Sequence, residues 1–211
     1  MKHLTTPITD ENLSKLNTGD QISISGTIYT GRDAALPQLV ELIKKDEVPF
    51  DLNGSAIMHT AFSDAGIAPT TSNKEEIEST IPFLSENGVK IHIGKGMLGE
   101  NTIKQLDKYN SIFVITPPVA ALLTSKVLEK KCVLFENEGM EAMFELKVEN
   151  IPGIIAIHRG KKFRKKNYSS SSSSSDSSLF SNSSTKLTLV ISSMFSQMSL
   201  AILNLAKVMS M

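Results

Sequence analysis

Cysteine is nearly missing from this chain: Cys132 is the only one among 211 residues. An intrachain disulfide is excluded, and so is a cysteine-ligated iron–sulfur cluster assembled from this chain alone. Its setting, Lys131-Cys132-Val133-Leu134-Phe135, reads as a short buried strand in which the thiol is a small apolar filler. Neither sign of charge is in excess. With 22 Lys and Arg against 22 Asp and Glu, no global field favours nucleic acid as a partner. Met1 to Asp10 lacks the apolar core of a signal peptide, so a cytoplasmic location is expected. His59, His92 and His158 have no spacing that argues a metal site. His59 ends a strand where it is positioned to meet a ligand, whereas His92 reads as a surface or packing residue.

What remains is a composition of the soluble globular kind, 40% hydrophobic and 21% charged, at a length that can build one core. Residues 1–163 read as one α/β unit. Gln21–Ser25, Ser55–His59, Val89–Ile93, Ser111–Ile115, Cys132–Phe135, Met143–Val148 and Ile154–Ile157 are expected strands. Leu36, Leu39, Val40 and Ile43 recur at helical spacing, with Pro37 tolerated in the first turn. Further helices are expected from Ser72 to Asn87, from Gly99 to Lys108 and from Val119 to Leu128. Strands that alternate with helices argue a sheet with parallel pairs.

After Phe163 the composition changes. Lys161 to Lys166 is basic apart from Phe163, and Ser169 to Ser175 is an unbroken serine run, so residues 164–186 are expected to be a disordered linker. Leu187 to Ala206 carries no charge and approaches a bilayer-spanning length, but Ser192, Ser193, Ser196, Gln197 and Asn204 interrupt it. The tail 187–211 is open to three readings: a weak membrane anchor, an amphipathic packing segment, or a non-functional extension, the last being favoured. A membrane is a partner only if that tail is genuine.

Three short segments carry chemistry. Pro69-Thr70-Thr71-Ser72-Asn73-Lys74-Glu75 ends in a capping box, Ser72 with Glu75, so a helix starts there. Unpaired N–H groups and the helix dipole make such an end electropositive, and Thr70, Thr71 and Lys74 would surround a pocket for a carboxylate. The plainer reading is an ordinary capped helix. Arg32, in Gly31-Arg32-Asp33, follows a strand at the head of a helix. Its fork suits a carboxylate, or else it pairs with Asp33 or a nearby acid at the surface. Lys95, in Ile93-Gly94-Lys95-Gly96-Met97, ends a strand between two glycines; small neighbours let a ligand approach closely, although Gly-Lys-Gly is also a common turn.

Together with Pro49-Phe50-Asp51-Leu52-Asn53-Gly54 and Glu138-Gly139-Met140-Glu141-Ala142, these segments occur in an order that resembles the β subunit of iron–sulfur hydro-lyases, the class I fumarase and L-tartrate dehydratase family. The resemblance covers roughly residues 1–163. It implies a swivelling β/β/α domain and reversible hydration of a small dicarboxylate such as fumarate, malate or tartrate. It implies that Arg32 and Lys95 bind substrate, joined by Thr71 and Lys74, and that Thr70 is the catalytic base, with the reverse assignment of the two threonines left open. A threonine hydroxyl is a poor base and needs an electropositive, desolvated pocket to act. The resemblance further implies an α-type partner subunit that carries a [4Fe–4S] cluster, with the active site at the interface. The chain departs from the family in several places, a short segment between His59 and Pro69 among them. Leu36-Pro37-Gln38 replaces a histidine and a basic residue, Lys74 replaces an arginine, and Pro117-Pro118 replaces a glycine pair. An altered substrate is the favoured explanation; a divergent, non-catalytic dicarboxylate-binding or scaffold subunit is the alternative.

Overall fold

The computed structural model describes residues 1–68 and 74–163, with Lys74 described in its backbone only. The expected linker and tail, 164–186 and 187–211, lie outside the described residues, as do Thr70, Thr71 and the Ser72 cap. In chain order the elements are β1 (Lys2–Thr5), α1 (Asp10–Ser14), β2 (Gln21–Thr30), α2 (Ala35–Lys44), β3 (Ser55–Met58), β4 (Phe62–Ser63), β5 (Gly66–Ile67), α3 (Lys74–Glu86), β6 (Val89–Gly94), α4 (Glu100–Lys108), β7 (Ile112–Ile115), α5 (Ala120–Thr124), β8 (Val127–Leu134), a 3-10 turn (Glu136–Glu141), β9 (Met143–His158) and β10 (Lys161–Lys162).

The chain is a mixed α/β structure whose main sheet closes on itself. β1, β2, β3, β6 and β7 run parallel in that spatial order. β9 is antiparallel to both β2 and β7, so the pairings β2–β3–β6–β7–β9–β2 form a ring. Closure of this kind removes open edges from the strands inside it. Side chains then alternate between two environments. Ile28, Ala56, Met58, Ile91, Ile93, Ile112 and Val114 face the ring interior, with Leu4, Leu13 and Leu16 among the residues packed against them. The alternate residues Tyr29, Ile57 and Phe113 face the opposite way, toward Leu36 and Leu39 of α2, Ile77, Ile81 and Leu84 of α3, and Ile103 and Leu106 of α4. Each such buried aliphatic side chain contributes about 1.5–3 kcal/mol relative to exposure.

Most expected elements are present, and the exceptions have local causes. The helix expected to reach Leu128 stops at Thr124, where the Ser125 hydroxyl donates to the Leu122 carbonyl at 2.8 Å. Val127 onward pairs with β9 instead, because the Val127↔Val148 register gives its β-branched side chain a cross-strand partner. Cys132 is consequently not in a short buried strand. It is half-buried in an eight-residue strand, and burial pushes its thiol pKa up. The two expected strands at 143–148 and 154–157 are one strand, β9. Asn150 takes a left-handed turn (φ 57°) beside the irregular register at Ile24/Gly26, and its N–H donates to Ser25 Oγ at 2.9 Å, so pairing with β2 resumes at Ile151. Among the described residues no helix is long and apolar enough to cross a membrane.

Candidate active site

Parallel strands of an α/β sheet present their following loops at one edge, and ligands bind there. Here β2, β3, β6 and β7 end in register: Thr30 lies opposite Met58, Met58 opposite Ile93, and Gly94 opposite Ile115. The Met58 carbonyl accepts from the Gly31 N–H at 3.1 Å, and the Ile93 carbonyl accepts from the His59 N–H at 2.7 Å. Arg32 leaves the end of β2 and Lys95 the end of β6, with β3 between them in the sheet. Two inter-strand spacings put those strand ends about 10 Å apart. β3, the intervening strand, is followed by the β4–β5 hairpin, after which the described residues break off at Ala68 and resume at Lys74. Arg32 and Lys95 are thus brought to one edge, whereas Thr70, Thr71 and the Lys74 side chain lie outside the described residues.

Each basic residue sits on a glycine that the packing requires. A Cβ on Gly31 would lie 2.7 Å from Leu36 Cδ2, which fills that space. A Cβ on Gly94 would lie 3.1 Å from Phe113 Cζ and 3.2 Å from His59 Nδ1. Gly96 takes φ +88° in open space and lets the chain turn after Lys95. Lys95 is exposed and forms no ion pair with another described residue.

Arg32 is held from two sides. Its Nε donates to Asp33 Oδ1 at 2.9 Å and lies 3.3 Å from Glu141 Oε1 in the 3-10 turn before β9. The arginine is only 23% exposed, so this pairing is partly shielded from water. The pairing with Asp33 expected of a plain arginine is present, at a partly buried position. Glu141 was visible only as part of a sequence segment with no assigned role; its contact spans more than a hundred residues and leaves no local trace.

The histidines also resolve. His59 and His92 are both buried on the helix-facing side of the sheet. His92 Nδ1 and His59 Nε2 are 3.4 Å apart, and Ser85 Oγ of α3 lies 2.9 Å from His92 Nε2. Burial pushes the His59 pKa down to about 4, and burial together with His59 holds that of His92 well below the usual value. Both are therefore neutral near pH 7. His92 is a packing residue, and His59 supports the Gly94-Lys95 turn from beneath.

Leu36 and Gln38 are both engaged within the fold. Leu36 is fully buried, and Gln38 Nε2 donates to the Ala34 carbonyl at 2.8 Å and to Glu138 Oε1 at 3.0 Å. An iron–sulfur cluster does not fit the side chains described here. Cys132 stands alone with a raised pKa, and among the described residues no three His, Cys, Asp or Glu side chains are grouped to hold a metal ion.

Known proteins resemble this chain. The chain is 36% identical over 138 residues to "L(+)-tartrate dehydratase subunit beta" of Escherichia coli (strain K12), covering 61% of this chain and 67% of the relative. It is 33% identical over 172 residues to "Putative L(+)-tartrate dehydratase subunit beta" of Methanocaldococcus jannaschii, covering 74% and 87% respectively. It is 29% identical over 166 residues to "Putative fumarate hydratase class I" of Geobacillus stearothermophilus, of which it spans 31%. Residues 2–167 match the family described as Fumarase C-terminus, and the chain belongs to that family.

Proposed function

We propose that this chain is the β-type subunit of a hydro-lyase that reversibly removes water from a small hydroxy-dicarboxylate, and that an α-type partner completes it. The observation that carries this reading is the common strand edge of Arg32 and Lys95 on either side of the β3 connection, in a chain of this family. Related proteins are named as tartrate dehydratase β subunits and a class I fumarate hydratase, which supports the reaction class and the need for a partner.

In this reading Arg32 holds one carboxylate through its planar fork, and Lys95 meets the other as a compact point charge. Thr71 and Lys74 add contacts at the head of α3. Thr70, as its alkoxide, takes the proton from the carbon next to a carboxylate and becomes the neutral hydroxyl; Arg32, Lys95 and the helix end make the surroundings positive enough to favour the alkoxide. The departing hydroxyl needs acid assistance. The reading assigns it to a [4Fe–4S] cluster on the α-type partner. The domain type it favours is the swivelling β/β/α domain, which is compatible with the closed, mixed sheet carrying α2, α3 and α4 on its outer face.

Anaerobic co-expression of the full chain with an α-type subunit, followed by assay of L(+)-tartrate dehydration and fumarate hydration, tests the proposal. A stable complex that turns over one of these supports it. A stable complex silent on both would favour a non-catalytic dicarboxylate-binding subunit, the reading to which the missing histidine and the Lys74 exchange point.

A further inference from the structure

The segment after β2 and the segment before β9 are tied at three successive points. The Phe144 N–H donates to Thr30 Oγ1 at 3.2 Å, Arg32 Nε faces Glu141 Oε1 at 3.3 Å, and Gln38 Nε2 donates to Glu138 Oε1 at 3.0 Å. The outer ties leave the 3-10 turn little freedom. Phe135 opens it in a left-handed conformation (φ 59°), Gly139 takes φ 58° within it, and the Ala142 N–H donates to the Gly139 carbonyl at 3.1 Å. Met143, the next residue, is fully buried. Glu141 is therefore delivered to Arg32 by a braced turn, and its carboxylate is 34% exposed, neither lost in water nor sealed in the core.

From this we propose that Glu141 is the positioning residue for Arg32, setting the plane of the guanidinium so that the fork is presented to a substrate carboxylate. The inference rests on the reading of Arg32 as a carboxylate anchor. The geometry explains how it works. An arginine has several rotatable bonds, and binding through it is weakened by whatever freedom it must lose. Asp33 is the chain neighbour of Arg32 and moves with the same backbone, so it cannot alone fix the side chain relative to the rest of the site. Glu141 comes from the opposite side of the loop cluster and supplies that second reference point. Asp33 Oδ1 accepts from the Nε–H and Glu141 Oε1 lies 3.3 Å from the same nitrogen, so carboxylates from two separate segments flank the Nε edge of the guanidinium.

The test uses the full chain and two variants, Glu141→Ala and Glu141→Gln. The glutamine keeps an acceptor oxygen for Nε and removes the charge. In the full chain alone, the Arg32 Nε–H resonance is expected to be distinct in the wild type, to remain so in E141Q, and to merge with those of mobile arginines in E141A. In the complex with the α-type subunit, E141A is expected to raise KM for the dicarboxylate roughly tenfold, the cost of ordering one arginine side chain on binding, with kcat changed far less and KM largely restored in E141Q. An unchanged Arg32 resonance in E141A overturns the proposal. So does a wild-type KM in E141A alongside a crippled Arg32→Ala, with the underlying reading left standing. A wild-type KM in Arg32→Ala itself would overturn both.

Discussion

His59 shows how a single residue ties stability to the site. Burial lowers its pKa to about 4, while an unfolded histidine takes up a proton near pH 6.5. Between those values the unfolded chain binds more protons than the folded one, so stability rises with pH. The contribution is fully present above about pH 6.5 and is lost as the pH falls toward about 4, a change of about 3 kcal/mol from His59 alone. His92 shifts in the same direction and steepens the slope. Urea unfolding from about pH 7 to about pH 5 is expected to show a falling midpoint, and His59→Leu a distinctly flatter one. A slope that survives the substitution would contradict this. Lys74 offers a second prediction. Restoring the planar fork with Lys74→Arg should lower KM for the dicarboxylate by roughly fivefold through a bidentate contact, and a raised or unchanged KM in steady-state kinetics would show that the site has adapted to lysine.

At the scale of elements, the glycines at strand ends carry the argument. Gly94→Ala would place a methyl group 3.1 Å from Phe113 Cζ and 3.2 Å from His59 Nδ1. Those rings must yield, so denaturant titration is expected to register a loss of about 1–3 kcal/mol, and turnover should fall as the Lys95 turn shifts. A variant with wild-type stability and turnover would show that the turn is not braced from below. In β9, the left-handed Asn150 predicts that Asn150→Val loses about 1–2 kcal/mol while Asn150→Gly is nearly neutral; equal stability of the two would remove that strain from consideration. Elements were legible in sequence where periodicity met a terminator, as in α3, whose Ile77, Ile81 and Leu84 stripe ends at Asn87-Gly88. Legibility failed where tertiary pairing overrode local pattern. Leu123 and Val127 are spaced like a helix face, yet the Val148 partner draws Val127 into β8. The Asn150 break reads as a loop, yet the ten residues of β2 hold both halves of β9 in one ladder.

At the scale of the whole molecule, closure of the sheet by β9 brings the site together. It carries the 3-10 turn back over the end of β2, so that residues as distant in sequence as Arg32 and Glu141 meet. The strand-end positions of Arg32 and Lys95 were legible because the strands that precede them have a local pattern, while their assignment to substrate came from the order of the segments. The supports beneath them, Glu141 and the His59–His92–Ser85 chain, could not, because they depend on which strands neighbour which. The central claim is that one strand edge binds a dicarboxylate from both sides. The most direct test is kcat/KM for the dicarboxylate in complexes of the α-type subunit with wild-type, Arg32→Ala and Lys95→Ala chains. Each substitution is expected to lower it by about a hundredfold, the loss typical of a charged contact to a bound carboxylate. Wild-type values in both variants would contradict the assignment of this edge as the substrate site.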